Sequence, residues 1–235
     1  MISGLQKMTL LDYPGKVACT VFLQGCNFRC PFCHNSDLLG KDGPETIPVE
    51  TLMTFLKKRV GLLDAVCVTG GEPTLQKDLP ELLRQIKALG YLVKLDTNGS
   101  RPEVLKALVE EKLVDYVAMD IKNSPEGYGK TVGLPNMALT AIEESIGYLL
   151  EDHVDYEFRT TVADELHDPQ GIRAMGQWLC SLRPGIKPRR HYIQPYVDRD
   201  SVLTQGLHTP EKEKLVDMAK NLALFAHLVE IRGMD

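Results

Sequence analysis

Three cysteines at close spacing are the residues of this chain best suited to chemistry. Cys26, Cys30 and Cys33 follow one another as C-x3-C-x2-C within the segment from Gln24 to Asn35. Thiolates so close along the chain converge on one small object if the backbone wraps around it, and this spacing favours an iron–sulfur cluster. Three cysteine ligands on a four-iron cluster leave one iron open, and an open coordination position is typical of catalytic metal sites. The sequence therefore predicts one [4Fe-4S] cluster with a free position.

A zinc site is the alternative occupant of this segment, with His34 as the fourth ligand. Structural zinc ligands usually come as two pairs from separate elements, and the sequence contains no second C-x2-C or H-x3-H pair. Cys33 and His34 are also adjacent, which would crowd them as ligands of one ion. The spacing thus favours iron and sulfide over zinc, and metal analysis of the purified protein would decide between them.

Composition limits the remaining possibilities. The chain has 235 residues, of which 43% are hydrophobic and 25% charged, and its net charge is −5. The length predicts a single domain over residues 1–235, and the charge gives no reason to expect nucleic acid or an anionic membrane as partner. There is no basic and apolar N-terminal signal pattern and no apolar run near the ~20 residues that span a bilayer, so we expect a cytoplasmic protein.

Cysteines are reduced in the cytoplasm, which favours metal ligation over disulfides for the clustered ones. The other three, Cys19, Cys67 and Cys180, lie apart from the cluster in apolar surroundings. We predict that they are small core residues.

Six strand-then-helix units must position these residues. Segments rich in β-branched and aromatic residues alternate with segments whose apolar residues recur at helical spacing. Such a series predicts a parallel sheet with right-handed crossovers, and six units rather than eight indicate an α/β fold of the partial (β/α)6 barrel type. An N-terminal extension over residues 1–16 precedes the first unit. The predicted strands are 16–23, 64–69, 91–96, 116–121, 156–162 and 190–194.

Capping and turn signals place the helices and loops. Pro48 marks the start of the first helix, Gly90 the end of the second, and Asn136 the cap of a later one. Further predicted segments are helices over 78–89, 102–112, 136–151 and 168–182 and from 209 onward, loops over 41–45 and 124–135, and short extended pieces over 5–9 and 228–231.

Polar motifs occur where the predicted strands end. The carboxyl ends of parallel strands carry the chemistry in such folds, so motifs that end strands are expected to share one edge. They are the cysteine segment 24–35, Gly70-Gly71-Glu72-Pro73, Asp96-Thr97-Asn98-Gly99, Met119-Asp120-Ile121-Lys122 and Gln194-Pro195.

These motifs resemble those of the radical S-adenosylmethionine (radical SAM) superfamily. The cysteine spacing with Phe32 before its last cysteine, and GGEP at the end of the second strand, are similar to that superfamily's cluster and cofactor motifs. The stretches LLDYPGK and FLQGCNFRCPFCHN resemble the activating enzymes of glycyl-radical enzymes, most closely those that serve anaerobic ribonucleoside-triphosphate reductase. The resemblance covers essentially the whole chain. It implies an enzyme that cleaves S-adenosylmethionine reductively to a 5′-deoxyadenosyl radical, which takes a hydrogen atom from a glycine of the partner enzyme.

The resemblance also implies roles for individual residues. Gly70, Gly71, Glu72 and Pro73 would hold the amino group of the cofactor, with Glu72 supporting the loop. The remaining implied contacts are Asp96 and Asp120 at the polar end of the cofactor, with a monovalent cation as a candidate ligand, Lys122 as the charge that neutralises a nearby carboxylate, His34 against the carboxylate or ribose, Phe32 against the adenine, and Arg159 and Gln194 against ribose or substrate.

Structural explanations stay open beside these roles. Phe32 could pack within its own loop, the Asp and Lys residues at the strand ends could form an internal ion pair, and Arg159 could pair with Asp120 or Glu157. The histidines that match no catalytic spacing are expected to be structural or exposed; they are His153, His167, His191, His208 and His227.

The isolated positions of Cys67 and Cys180 predict one cluster only, so the electron would come from an external flavodoxin or ferredoxin. Two alternative substrates remain: another glycyl-radical enzyme, of the pyruvate formate-lyase type, or a small molecule, as in 7-carboxy-7-deazaguanine synthase. The product 5′-deoxyadenosine formed with a small substrate and no protein partner would identify the second.

Overall fold

Strands and helices alternate along the chain as the sequence predicts. The computed structural model describes residues 1–40 and 46–233, so the loop predicted over 41–45 lies outside the described residues. The strands are β1 (Ile2–Thr9), β2 (Ala18–Leu23), β3 (Ala65–Gly70), β4 (Leu92–Thr97), β5 (Tyr116–Asp120), β6 (Asp155–Val162), β7 (Arg190–Pro195) and β8 (Leu228–Ile231). The α-helices are α1 (Val49–Lys57), α2 (Leu79–Ala88), α3 (Pro102–Glu110), α4 (Pro125–Thr131), α5 (Thr140–Leu150), α6 (Pro169–Leu182) and α7 (Lys212–Leu222).

Internal contacts divide the chain into two compact units. Unit 1 comprises residues 1–27, 37–97 and 101–118, and unit 2 comprises residues 28–36, 98–100 and 119–235. In unit 1, β2 and β3 pair in parallel, as do β3 and β4, whereas β1 pairs antiparallel with β2. The predicted N-terminal extension therefore contributes a longer strand than the sequence indicated.

The amino ends of the unit 1 strands are filled by an aromatic layer. Tyr13, from the LLDYPGK stretch, lies against Tyr116 with ring centroids 5.6 Å apart. Both rings are buried in a cluster with Ala18, Ala65 and Cys67, each at or near the start of its strand. The tyrosine of this motif thus packs the sheet at the end opposite to the one where the strands lead into polar loops.

The strands of unit 2 for which pairing is described also pair in parallel. β6, β7 and β8 are neighbours in chain order, and Gln194 lies opposite Thr161 in the register between β6 and β7. Within this sheet His191 is fully buried, and its Nε2 lies 2.8 Å from the Thr160 hydroxyl oxygen. The structural role predicted for this histidine is confirmed.

One predicted loop is wrong, because residues 124–135 contain helix α4. Its two glycines favour a loop by residue type, but each allows a close approach that a side chain would block. A Cβ on Gly127 would lie 2.7 Å from the Asn123 side chain, and one on Gly129 would lie 2.8 Å from the Leu134 carbonyl oxygen. Pro125 occupies the first turn, where its missing N–H costs nothing.

Helix ends agree with the sequence where a cap is well defined. Asp168 accepts a hydrogen bond from the Gly171 N–H at 2.7 Å and caps α6, and Gly90 follows α2 with a φ of +87°. Asn136 is not a cap, because α5 begins at Thr140 after Leu139. The last helix likewise begins at Lys212 rather than near residue 209.

None of the six cysteines forms a disulfide, and all six lie within the described residues. Cys19 and Cys67 are fully buried, as predicted for core residues, whereas Cys180 is only partly buried. In the part of the chain that the structure covers, no helix is long and apolar enough to cross a membrane.

Candidate functional site

The GGEP turn of unit 1 lies directly against the backbone that precedes Cys26. The Gly71 N–H donates to the Leu23 carbonyl at 2.8 Å, and the Glu72 N–H donates to the Gly25 carbonyl at 2.7 Å. A Cβ on Gly70 would lie 2.3 Å from backbone atoms of Leu23, and one on Gly71 would lie 2.1 Å from the Gly25 oxygen. These glycines are thus required by the approach of the neighbouring chain, a reason that the sequence did not reveal.

Glu72 holds this turn from inside. Its carboxylate is only 1% exposed and accepts hydrogen bonds from the Thr74 N–H at 3.1 Å and from the Thr97 hydroxyl at 2.8 Å. The Thr74 hydroxyl donates to the same oxygen. Glu72 therefore caps the short 3-10 turn Pro73–Leu75 and ties it to the end of β4. This geometry agrees with the supporting role expected for Glu72.

Two glutamines fix the residues just before Cys26. The Gln76 amide donates to the Gln24 carbonyl at 2.6 Å, and the Gln24 amide donates to the Gly40 carbonyl at 2.8 Å. The Gly25 N–H donates to the Leu38 carbonyl at 2.6 Å. Sequence reasoning missed Gln24 and Gln76 as positioning residues, because their role depends on backbone groups that are distant along the chain.

Asp96 at the end of β4 is paired within its own strand. The buried Lys94 side chain contacts the Asp96 carboxylate, and residues two apart in a strand lie on the same face. Asp96 retains 15% of its side-chain exposure, whereas Lys94 retains 2%. A buried cation thus holds the carboxylate that the resemblance assigns to the cofactor.

Unit 2 places two cations on Asp120, at the end of β5. Lys122 Nζ lies 3.0 Å and Arg159 Nε lies 3.1 Å from its carboxylate oxygens. Burial raises the pKa of Asp120, but Arg159 and Lys122 outweigh it and hold that pKa at about 2. Glu157, the other partner considered for Arg159, instead binds Arg232 through two contacts of 2.8 Å. The ion pairs at the strand ends are therefore real.

The second half of the cysteine segment is fastened from two directions within unit 2. The Arg29 N–H donates to the Val132 carbonyl at 2.9 Å, just beyond α4. From the segment after β7, the Thr204 N–H donates to the Pro31 carbonyl at 3.0 Å and the Ser201 hydroxyl donates to the His34 carbonyl at 3.0 Å. The backbone around Cys30 and Cys33 therefore has a defined course.

Phe32 and His34 both pack within unit 2. Phe32 is 4% exposed, with its ring 6.4 Å from that of His167 and with Lys122 Nζ 5.9 Å from its centroid. His34 Nε2 donates to the Val197 carbonyl at 2.7 Å. The packing role considered for Phe32 is thus observed. One ring nitrogen of His34 is hydrogen-bonded to the Val197 carbonyl, and that nitrogen is therefore not free to bind zinc.

His167 fixes the backbone of Lys122. Its Nε2 donates to the Lys122 carbonyl at 2.9 Å, and its Nδ1 accepts from the Ala163 N–H at 3.1 Å. Burial lowers the pKa of His167, which keeps the ring neutral in this tautomer. The structural role predicted from the sequence is confirmed.

Tyr128 on α4 is a residue that the sequence did not single out. Its side chain is fully buried, and its hydroxyl has no hydrogen-bond partner among the described residues. The hydroxyl lies beside the Lys122 backbone, and burial raises its pKa above the usual value. The residue was missed because its helix was predicted as loop, although Pro125 was an available start signal.

The predicted metal ligands are Cys26, Cys30 and Cys33. Within residues 1–40 and 46–233, no three His, Cys, Asp or Glu side chains are grouped as a formed metal site. The assignment of Cys26, Cys30 and Cys33 as cluster ligands therefore remains a prediction from the sequence. Their chemistry fits it, because none of the three is held in a disulfide and Cys30 has the Lys122 cation in its electrostatic surroundings.

Comparison with known proteins gives a consistent result. Residues 20–164 match the model of the radical SAM superfamily. Protein MJ1227 of Methanocaldococcus jannaschii, assigned as a glycyl-radical enzyme activating enzyme, is 31% identical over 100% of this chain and 97% of its own. A 7-carboxy-7-deazaguanine synthase of Hyperthermus butylicus is 29% identical over 93% of this chain and 79% of its own.

A solved structure shares the fold. SuiB of Streptococcus suis, crystallised with S-adenosylmethionine, superposes with a TM-score of 0.68 at 14% identity, over 91% of this chain and 52% of that one. Likeness at this identity concerns the fold alone. The predicted class, an α/β fold of parallel strands of the radical SAM type, is confirmed.

Proposed function

Because this chain belongs to the radical SAM superfamily of enzymes, we propose that it activates a glycyl-radical enzyme, namely an anaerobic ribonucleoside-triphosphate reductase. The [4Fe-4S] cluster would supply the electron that cleaves S-adenosylmethionine to the 5′-deoxyadenosyl radical, which takes a hydrogen atom from one glycine Cα of the partner. The observation that carries the proposal is the similarity to an activating enzyme over the full length of both chains.

The residues proposed to hold the cluster are Cys26, Cys30 and Cys33. A thiolate must form before it can bind iron, and a nearby cation favours the thiolate. Lys122 supplies that cation beside Cys30, since its charge and that of Cys30 influence each other. We expect a single cluster, so an external flavodoxin or ferredoxin would deliver the electron.

Cofactor contacts are proposed at both groups of strand ends. In unit 1, the turn Gly70-Gly71-Glu72-Pro73 offers backbone groups in a position fixed by Leu23 and Gly25. In unit 2, Asp120 is ionised and Lys122 is cationic, so this pair can orient a charged ligand. The further proposed contacts, which rest on resemblance, are Asp96, Phe32, His34, Arg159 and Gln194, with a monovalent cation as a candidate ligand of the carboxylates. A cytoplasmic location and a single domain over residues 1–235 are also proposed, as the sequence predicts them.

Radical formation on the partner tests the proposal. The purified chain would be reconstituted anaerobically with iron and sulfide, then incubated with reductant, S-adenosylmethionine and the reductase. We expect a glycyl radical doublet in the electron paramagnetic resonance spectrum and none with Cys30→Ala, which removes a ligand. A loaded protein that cleaves S-adenosylmethionine yet yields no radical on any glycyl-radical enzyme would contradict the proposal. A radical on a pyruvate formate-lyase type partner alone would reassign the substrate.

A small-molecule substrate is the second candidate, supported by the similarity to the 7-carboxy-7-deazaguanine synthase. It predicts 5′-deoxyadenosine and a converted small molecule in the absence of any protein partner. Product analysis by mass spectrometry with and without the reductase separates the two candidates.

A further inference from the structure

A buried hydroxyl without a partner is the observation that calls for a ligand. Buried polar groups are nearly always hydrogen-bonded, because leaving one unpaired forfeits its interactions with water. Of the described residues, the Tyr128 hydroxyl and His191 Nδ1 are the two buried side-chain atoms without a hydrogen bond. His191 lies in the sheet and is already paired through its other nitrogen. Tyr128 has one polar side-chain atom, which lies beside the Lys122 backbone, and its proton has no acceptor among the described residues.

The surroundings of this hydroxyl belong to the proposed cluster segment. The charges of Lys122 and Cys30 both act on Tyr128. The helix that carries Tyr128 is tied to the residue before Cys30, since the Arg29 N–H donates to the Val132 carbonyl. Gly133 packs so closely there that a Cβ would lie 2.4 Å from the Arg29 carbonyl oxygen. Helix α4 and Cys30 are therefore held in a fixed relation.

We propose that the Tyr128 hydroxyl donates a hydrogen bond to the sulfur of Cys30 when that sulfur ligates the cluster, and thereby raises the reduction potential of the cluster. The inference rests on the proposed function, since it requires a cluster at Cys30. A protonated thiol is a weak acceptor, whereas a thiolate accepts charge-assisted hydrogen bonds. The hydroxyl would thus lack a partner until the thiolate forms. Lys122 Nζ donates to Asp120 and keeps further protons, so it acts on Cys30 as a charge, whereas the Tyr128 hydroxyl is a buried donor without a partner among the described residues.

The effect on potential follows from charge. A hydrogen bond to a ligand sulfur stabilises the more negative, reduced state of the cluster more than the oxidised state. Removing the donor therefore makes reduction harder. The bond would bring the cluster within reach of its electron donor without adding a net charge beside it.

The experiment compares Tyr128→Phe with the unchanged chain, both loaded anaerobically with iron and sulfide. Potentiometric titration followed by electron paramagnetic resonance should show an equilibrium constant for cluster reduction lowered by about tenfold, which is about 59 mV for one electron. Tyr91→Phe is the matched control, because the Tyr91 hydroxyl donates to the Leu56 carbonyl in unit 1 and its loss should leave the potential unchanged.

A second measurement uses the full chain before cluster loading. There Tyr128→Phe removes an unpaired group and should raise the melting temperature, whereas Tyr91→Phe removes a hydrogen bond and should lower it. Unchanged potential with a full complement of iron and sulfide would overturn the inference while leaving the proposed function intact. Absence of any cluster in the unchanged chain would overturn the proposed function itself.

Discussion

Glu72 and Asp120 are two carboxylates at or just after strand ends that bind different kinds of donor. Glu72 follows β3 in unit 1 and is bound by hydroxyl and amide donors of Thr74 and Thr97. Asp120 ends β5 in unit 2 and is bound by the cations Lys122 and Arg159. Glu72 is 1% exposed, whereas 28% of the Asp120 side chain remains exposed.

Glu72 holds the backbone of its turn in place, whereas Asp120 presents a charge to its surroundings. A carboxylate used as a cap saturates its oxygens with local donors, so it shapes the chain but has little capacity left for a ligand. A carboxylate between two cations stays ionised and leaves the cations partly available. We therefore expect substitutions in the unit 1 turn to act on folding, and substitutions around Asp120 to act on charge as well.

The largest effect is expected in the unit 1 turn. Gly71→Ala places a methyl group 2.1 Å from the Gly25 oxygen, so the backbone must move and the hydrogen bonds of Gly71 and Glu72 are lost. We expect a loss of roughly 4 kcal/mol in the free energy of unfolding, measured by anaerobic urea denaturation.

Gly171→Ala is the control for this change. A Cβ there, in the first turn of α6, would meet the side-chain oxygens of Asp168 at 3.5 Å and Asn123 at 3.8 Å, which are ordinary contacts. It should leave stability equal or slightly higher. Equal losses for the two variants would show that the turn does not depend on close approach.

A smaller effect distinguishes the two carboxylates directly. Asp120→Asn removes the charge shared by Lys122 and Arg159, whose side chains are 13% and 14% exposed, and should cost about 3 kcal/mol. Glu72→Gln keeps an oxygen for Thr74 and Thr97 and should cost about 1 kcal/mol. Thermal denaturation of both variants at pH 7 measures the contrast. A larger loss for Glu72→Gln would invert the comparison.

The smallest effect is a dependence on pH. Burial lowers the pKa of His167 and lowers that of His191 to about 3. Groups with a lowered pKa stabilise the fold above their unfolded value near 6.5, and that stability is lost as the pH falls. His191 should cost about 2 kcal/mol between pH 6.5 and 5, and His167 adds a loss of the same sign. The stability contributed by Asp120, whose pKa is about 2, is present above about pH 4 and is lost only as the pH falls below that value.

His191→Gln tests the origin of this acid sensitivity. At pH 7.5, where the imidazole is neutral, the difference in unfolding free energy between the variant and the unchanged chain measures the cost of repacking alone. Between pH 6.5 and 5 its unfolding free energy should then fall less steeply than that of the unchanged chain, with the remaining slope coming from His167. An unchanged slope would mean that other groups bind the protons.

Local signals predicted the elements well, and distant contacts did not follow from them. Asp168 and Gly90 mark helix ends by their own chemistry, so the sequence placed those ends correctly. Helix α4 was not predicted, because Gly127 and Gly129 are needed for close contacts with Asn123 and Leu134, and the sequence does not show these contacts. Asn136 failed as a cap since a capping residue type does not by itself show where the helix begins.

The candidate site shows the same division. Motif spacing placed Glu72 after a strand of unit 1 and Asp120 and Lys122 at a strand end of unit 2, and the structure has them there. The choice of Asp120 over Glu157 as partner of Arg159 depends on which side chains neighbouring strands bring together, and sequence alone does not supply it. The sequence could not identify Tyr128, because it did not predict the helix that carries this residue. Only the structure shows that its hydroxyl is buried without a partner among the described residues.

The fastening of the cysteine segment has a consequence for biosynthesis. Cys30 and Cys33 leave the ribosome early, but the Ser201 hydroxyl that holds the His34 carbonyl is encoded 167 residues later. At about 5–20 residues per second, that interval lasts roughly 10–30 s. During it the thiols are made but their backbone is not yet fixed, so delivery of iron and sulfide is best timed after the segment beyond β7 has been translated. Maturation of the metal centre is then a late step in the life of the nascent chain.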